Sequence, residues 1–429
     1  MKLPKWPDPH YFHHINLGLE RIFELLKRLD NPHLKMPPTI HIAGTNGKGS
    51  TLAFLKNIFH EAGYKVHRYT SPHLVEFNER IEICGEKITD NFLNEVLEKC
   101  RQACEISPKI DITFFEATTA VAFLAFSQIE ADILLLETGM GGEFDATNVL
   151  PKVLCSIITT ISLDHQEFLG TTIEKIAEAK AGIIKKNCPI ICVDQNPQVL
   201  DLINSKANQL NAEFINSKVF FNNLNFNFNS INIPLSGSHQ IENAQLAVSC
   251  VKYQNHFKIS DENIKNGIEK TRWQARLEKI EDGIFAKNLP KNFQLYLDGS
   301  HNPQGATTIA EFLENFSHHK KIIIFQMLKD KNCEEFLKII GAKIDKLLIF
   351  KIVSDSRFRS PQNILEITKN LQINSVIIEN FDDAFEKIRQ EFSTQPTLIL
   401  ICGSLYFASE FLIENQKINY DKHPNCQTE

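Results

Sequence analysis

The stretch T-I-H-I-A-G-T-N-G-K-G-S-T, Thr39 to Thr51, decides how this chain is read. An apolar strand pattern runs into a glycine-rich turn, and a helical pattern opens at Ser50. Gly44, Gly47 and Gly49 allow a tight turn that brings backbone N–H groups close to an anion. The helix start adds the positive end of its dipole, and Lys48 adds a mobile charge for outer phosphates. Gly44, Thr45, Asn46, Gly47, Lys48, Gly49 and Ser50 thus form a candidate phosphate loop. The blander alternative is a glycine-rich turn with a surface lysine; strand, loop, lysine and helix in register argue against it. The common nucleotide loop has Ser or Thr directly after its lysine to hold magnesium. Gly49 stands there instead, so the metal hydroxyl must come from Ser50 or from elsewhere. Ser71, in Y-T-S-P-H-L just past the next strand, is the candidate, because ligands gather at the carboxyl edge of a parallel sheet.

Outward from this loop, short β-branched runs alternate with longer helical patterns, the habit of α/β folds with mostly parallel sheets. Early strands are expected at Thr39–Ala43, Lys65–Tyr69, Ala131–Glu137, Val153–Thr159 and Pro189–Val193, with helices at Ser50–Glu61, Glu116–Ser127 and Ile173–Ile184. From Val219 to Ile233, Asn alternates with Phe, Leu or Ile, which suggests an antiparallel hairpin. The turn-rich segment Glu281–Asn292 suggests a domain boundary, giving domains 1–284 and 285–429. Strands of the second domain are expected at Phe293–Leu297, Lys321–Phe325, Leu347–Lys351, Ser375–Ile378 and Thr397–Ile401.

The 429 residues suit two or three domains. Hydrophobic residues make up 43% and charged ones 23%, so large cores can form without disulfides. A net charge of -6 argues against a nucleic-acid partner, while leaving room for a local anion pocket. The 10 cysteines include no C-x-x-C pair and read as buried thiols in a reducing compartment. The start, MKLPKWPDPHYFHH, has no apolar core of a signal peptide, and no apolar run approaches a membrane span. A cytoplasmic, membrane-free protein is expected.

Glu137 ends the apolar run A-D-I-L-L-L-E and is followed by Gly139, Gly141 and Gly142. A carboxylate at that sheet edge suits magnesium, directly or through water. A solvated strand-end acid is the plainer reading. Taken together, G-T-N-G-K-G-S, T-S-P-H-L, F-N-E-R-I, L-E-T-G-M-G-G-E-F-D-A-T-N, S-L-D-H, E-A-K-A-G-I and D-G-S-H-N-P occur in this order. They resemble the folylpolyglutamate synthase/dihydrofolate synthase family, related to the Mur ligases, from about Ile15 to about Phe407. The resemblance implies a P-loop NTPase-like domain of the Mur-ligase central type followed by a Rossmann-like α/β domain. It implies that Ser71 and Glu137 share a first magnesium with ATP, and that His165, otherwise a structural hydrogen-bonder, is a ligand of a second. Imidazole is an unusual ligand for so hard a cation, so other anionic oxygens are needed nearby. Lys180, otherwise a snorkelling surface lysine, is carbamylated in the family, which turns a cation into a carboxylate-like anion.

The resemblance further implies that Asn243 contacts adenine and that Arg276 reaches the phosphates. The family usually has Pro-Gly before that arginine, where this chain has Gln274 and Ala275. Asp298 and His301, in D-G-S-H-N-P, would close over the nucleotide; an Asn-Pro turn capping the next helix is compatible with that. Three segments resemble the pterin site: Ile15, Asn16 and Leu17; Thr113, Phe114, Phe115 and Glu116; and Phe144, Asp145 and Ala146. Asn16 stands where makers of dihydrofolate have Asp. Phe114 and Phe115 offer flat apolar surface and Asp145 an acceptor; core packing and a turn cap are the plainer readings.

The activity implied is an ATP-dependent amide ligase, joining L-glutamate to dihydropteroate and to reduced folates through an acyl phosphate. Lys48, His165 and Lys180 would be its catalytic residues, with ATP and two magnesium ions. A monomer is expected. The rivals are a mono-functional folylpolyglutamate synthase, a nucleotide-driven switch or motor, and a cell-wall Mur ligase. Against the last, Mur ligases carry an extra domain before the phosphate loop, and only 43 residues precede Gly44.

Overall fold

A computed structural model describes residues 6–7, 17–352 and 355–421, with side chains through 416. The chain divides into two units: one formed by the residues up to Pro234 together with His239–Arg272, the other by Leu235–Ser238 and the residues from Trp273 onward.

The first unit is built on eight strands: β1 (Thr39–Ala43), β2 (Val66–Tyr69), β3 (Ile81–Ile83), β4 (Glu86–Lys87), β5 (Ile133–Glu137), β6 (Cys155–Ile158), β7 (Ile190–Cys192) and β8 (Phe214–Asn216). Their order is β4-β3-β2-β5-β1-β6-β7-β8. All pairs from β2 to β8 are parallel, and β3 and β4 extend the edge antiparallel. Every residue of β1 and β5 is buried, as expected for strands covered on both faces. β1 lies between β5 and β6, with Ile42 beside Glu137 and Ala43 beside Ile158. The loops leaving β1, β5 and β6 therefore emerge side by side at one carboxyl edge.

The second unit holds β9 (Glu278–Lys279), β10 (Phe293–Leu297), β11 (Lys320–Phe325), β12 (Lys346–Phe350), β13 (Ser375–Ile378) and β14 (Thr397–Cys402). The order is β13-β12-β11-β14-β10-β9, parallel except for β9 on β10. All ten expected strands are present, within two residues at either end. Among the described residues no helix is long and apolar enough to cross a membrane.

Two expectations need correction. The Asn-rich stretch Val219–Ile233 forms no hairpin. It holds the end of a helix, Ser217–Asn222, and a short 3-10 turn, Phe228–Ser230. Asn216 caps that helix by accepting from the N–H groups of Lys218 and Val219, which is how Asn diverts backbone from strand pairing. The aromatic rings pack edge-on instead, Phe221 on Phe228 at 5.2 Å and Phe220 on Tyr253 at 5.8 Å. The small antiparallel region is β2–β4. The boundary also lies earlier than 284/285, at Arg272/Trp273, because β9 pairs with β10 and draws Trp273–Ile284 into the second unit.

The helix that follows the phosphate loop, Lys48–Glu61, is backed by the helix Asp261–Glu269 at Gly267. A Cβ there would lie 2.5 Å from Ile58 Cα and 2.6 Å from Ile58 N. Gly267→Ala should gain about 1 kcal/mol of helix propensity and lose about 1–3 kcal/mol to overpacking against backbone that cannot rotate away. A net fall in the urea midpoint is expected; a rise would mean that the two helices are not in this close contact.

Candidate active site

The phosphate loop has the geometry that its glycines require. Gly47 caps the helix Lys48–Glu61 at φ 90°, a left-handed conformation that costs glycine little. A side chain there would also collide with Asn243, whose Oδ1 would lie 2.5 Å from an added Cβ. Asn243 is thus held against the loop by the buried helix Ser238–Tyr253, with its Nδ2 donating to Gln240 Oε1 at 3.1 Å. Thr45 and Asn46 donate their backbone N–H groups to Thr160 O at 2.8 and 3.3 Å, and Thr45 Oγ1 accepts from Ser162 N at 3.0 Å. The loop is stitched to the chain leaving β6. Ser50, beyond Gly49, is buried at 2% exposure.

Two lysines converge on this loop from different directions. Lys48 Nζ donates to Gly44 O at 3.0 Å and to Thr45 O at 3.4 Å. Lys180 Nζ, from the helix Ile173–Ala181, donates to Gly44 O at 2.8 Å. Lys180 is only 4% exposed, so the plainer alternative of a snorkelling surface lysine does not hold. Its amine is pushed down to about 7, first by burial and then by the Lys48 charge, against the attraction of Asp164 and Asp145.

Glu137 and Ser71 meet beside them. The Glu137 carboxylate is 4.0 Å from Lys48 Nζ and accepts from the Ser71 N–H at 3.3 Å. This buried acid, 5% exposed, is the hard oxygen donor that a divalent cation needs. His165 caps the short helix Gln166–Leu169 at φ 50°, with its ring 4.0 Å from Asp164 and 40% exposed. The Gly141–Gly142 turn after β5 rests on the Lys180 helix. A Cβ at Gly142 would lie 2.7 Å from Ala179 O, and Glu143 N donates to that same carbonyl at 2.8 Å.

The segments expected around a pterin are more occupied than the sequence suggested. Ile15 and Asn16 lie outside the described residues; Leu17 is exposed. Thr113 and Glu116 form a capping box on the helix Phe114–Phe126, and Glu116 is ion-paired with Arg21 at 3.0 Å. Phe114 is core, with the Arg80 guanidinium 5.5 Å from its ring. Phe115 is half-buried against Gly139, whose Cβ position lies 2.4 Å from its ring. Phe144 is exposed and Ala146 buried. Asp145 is buried and accepts from Met140 N at 2.9 Å and Thr147 N at 3.0 Å. The acid is a turn cap. The reading of T-F-F-E missed its Thr-x-x-Glu capping signature, which was visible in the sequence.

In the second unit, Asp298 accepts from Leu277 N at 2.9 Å and Ser300 N at 2.8 Å, and Gly299 N donates to Ala275 O at 2.9 Å. The turn bearing Arg276 is thus fastened to the loop bearing Asp298 and His301. Ala275 sits at φ 54°, a left-handed conformation that suits glycine and strains alanine. Asn302 caps the helix Pro303–Glu314 by accepting from Gly305 N at 2.9 Å.

A Mur ligase middle domain model matches residues 42–251, and a dihydrofolate synthetase C-terminal domain model matches 281–414. The chain is 34% identical to the dihydrofolate synthase/folylpolyglutamate synthase of Bacillus subtilis, over 92% of this chain and 94% of that one. The chain belongs to the dihydrofolate synthase/folylpolyglutamate synthase family. It is an ATP-dependent carbon–nitrogen ligase. Among solved structures, it superposes on the folylpolyglutamate synthase of Thermotoga maritima with a TM-score of 0.78 at 30% identity, covering 94% and 95% of the two chains. It also superposes on the bifunctional enzyme of Yersinia pestis complexed with AMPPNP and Mn ion, with a TM-score of 0.81 at 26% identity and 94% of each chain.

Proposed function

We propose that this ligase joins L-glutamate both to dihydropteroate, making dihydrofolate, and to reduced folates, lengthening their glutamate tail. One observation carries the reading: Lys48, Lys180, Glu137 and Ser71, from four separate elements, gather within hydrogen-bond or ion-pair reach around the Gly44 turn. That grouping suits a triphosphate and a divalent cation beside a second, reacting carboxylate. The substrate carboxylate attacks the γ-phosphorus of ATP, ADP leaves, and an acyl phosphate is formed. The glutamate amine attacks its carbonyl, and phosphate leaves. Lys48 and the N-terminus of its helix stabilise the negative charge on the transferring group. The backbone N–H groups of the Gly44–Ser50 loop orient the phosphates, and Asn243 abuts that loop as a proposed adenine contact. Arg276, Asp298 and His301 are the proposed nucleotide contacts of the second unit. Phe115, Phe144 and Asp145 are the proposed pterin contacts.

Glu137 and Ser71 would hold one magnesium ion, and His165 with a carbamate on Lys180 a second. The ions would supply charge neutralisation at the phosphates. The residues fit this only once Lys180 is modified, since a second ammonium 2.8 Å from Gly44 O and close to Lys48 would repel a cation. The buried amine is prepared for that change. At the ordinary value of 10.5, about one lysine in three thousand is neutral at pH 7; at about 7, roughly half are. The neutral amine adds carbon dioxide and releases a proton. A monomer working in the cytoplasm on small-molecule substrates completes the proposal.

Phosphate release over a panel of pterin acids, with and without glutamate, tests the function. The expected result is release that needs both glutamate and either dihydropteroate or tetrahydrofolate. Release that ignores the carboxylate substrates would favour the switch or motor reading, and extension of tetrahydrofolate with no dihydrofolate formed would favour the mono-functional one.

A second expectation concerns Lys180. Enzyme stripped of carbon dioxide should lose activity and regain it on re-supply. At equal dissolved carbon dioxide, recovery should be faster at pH 8 than at pH 6, because the reactive free amine accumulates as pH rises through about 7. Lys180→Ala should be inactive and partly rescued by short carboxylic acids. Activity indifferent to carbon dioxide would contradict the modification.

A further inference from the structure

β1 is an apolar strand with a histidine in its middle. His41 is fully buried between Ile40 and Ile42, where an aliphatic residue would complete the run. Its Nδ1 is buried with no hydrogen-bond partner, an arrangement that costs about 1–3 kcal/mol. Its Nε2 lies 2.9 Å from Thr147 Oγ1. Thr147 Oγ1 in turn donates to Asp145 Oδ1. The proton inventory fixes the tautomer. Thr147 has one hydroxyl proton and gives it to the carboxylate, so its oxygen must accept from His41, and Nε2 carries the ring proton. Burial holds the imidazole near 3, so it stays neutral and keeps this tautomer at working pH.

Capping the turn after Asp145 does not require this chain, because the Thr147 N–H contact alone provides the cap. The hydroxyl and the imidazole add a second constraint on the same carboxylate oxygen, anchored in the strand that leads into the phosphate loop. The other side of the loop is fastened as well. Asn148 Nδ2 donates to Gly182 O at 3.1 Å, and Lys185 Nζ donates to Asn148 O at 3.0 Å, just beyond the helix that carries Lys180. Burial pushes the Asp145 carboxyl up, and the hydrogen bonds it accepts from Thr147, Met140 and Gly139 oppose that. A polar residue that breaks the local pattern of a core strand at such cost is the mark of a site, not of packing.

We propose that His41 and Thr147 are positioning residues for the pterin acid, a buried relay that fixes the Asp145 carboxylate as the acceptor read by that substrate. The inference rests on the assignment of Asp145 to the pterin site made above, and the test separates the two. Steady-state kinetics with dihydropteroate, glutamate and ATP compare D145N, T147V, T147S and H41L in the full chain. T147V removes only the hydroxyl from a side chain of the same shape. Its KM for dihydropteroate should rise about tenfold, the effect of one buried hydrogen bond, with the KM for ATP near that of the wild type; the melting temperature should fall modestly, because the His41 Nε2–H loses its partner. T147S should restore the dihydropteroate KM, and H41L should raise it by a smaller factor. A raised KM in D145N with wild-type values in T147V and H41L would overturn the relay. An unchanged KM in D145N would overturn the assignment of Asp145 itself. Equal losses for ATP and dihydropteroate would mark a merely structural role and overturn the proposal. If T147V does not fold, H41L carries the same decision from outside the loop.

Discussion

The carbonyl oxygen of Gly44 accepts hydrogen bonds from both Lys48 and Lys180. Two ammonium groups on one backbone oxygen, one of them buried, repel one another. The arrangement persists because each lysine is fixed by a different element: Lys48 by the first turn of its own helix, Lys180 by a helix that follows β6. Burial first, and the Lys48 charge second, depress the Lys180 amine into the range where it can react as a free base. A phosphate loop that merely bound nucleotide would need Lys48 alone. The second lysine is where the proposed carbamate would place an anion.

Close approach of backbone sets the distances on which this depends. Gly142 lets the turn after β5 rest on the Lys180 helix, and Gly47 lets the loop rest on Asn243. Gly267 lets the backing helix touch the helix that begins at Lys48. Each contact would be lost to a single methyl group. The site is therefore defined less by its polar side chains than by the small residues that allow four elements to meet. Its polar groups are in turn held by partners the sequence does not advertise, such as Thr160 and Ser162 for the loop and Arg21 for Glu116.

Much of this was legible in the sequence where periodicity and glycine spacing speak directly. The parallel strands read as unbroken apolar runs because both their faces are covered, and the phosphate loop reads from its glycines. The Asn-rich stretch misled because alternation alone does not supply a partner strand, and Asn216 offers the backbone a helix cap instead. The junction at Arg272/Trp273 was missed because β9 is two residues long and carries no pattern. Lys180 was singled out only by the resemblance, because its alanine neighbours say nothing about what covers them. Thr147 and His41 sit in recognisable motifs, yet their link spans more than a hundred positions and exists only once β1 and the Asp145 turn are packed together. Ala275 is the reverse case: the sequence flagged the absent glycine, and the structure shows the left-handed backbone that a glycine would occupy without strain.

The claim at the centre of this account is that the grouped residues serve phosphoryl transfer to a carboxylate and not to water. Dihydropteroate labelled with oxygen-18 in its carboxylate decides the matter in a single turnover with ATP and glutamate. An acyl phosphate keeps one carboxylate oxygen as the bridge to phosphorus, and that oxygen departs when the amine attacks. Inorganic phosphate carrying one labelled oxygen is the result the account predicts; unlabelled phosphate released alongside the amide product would contradict it.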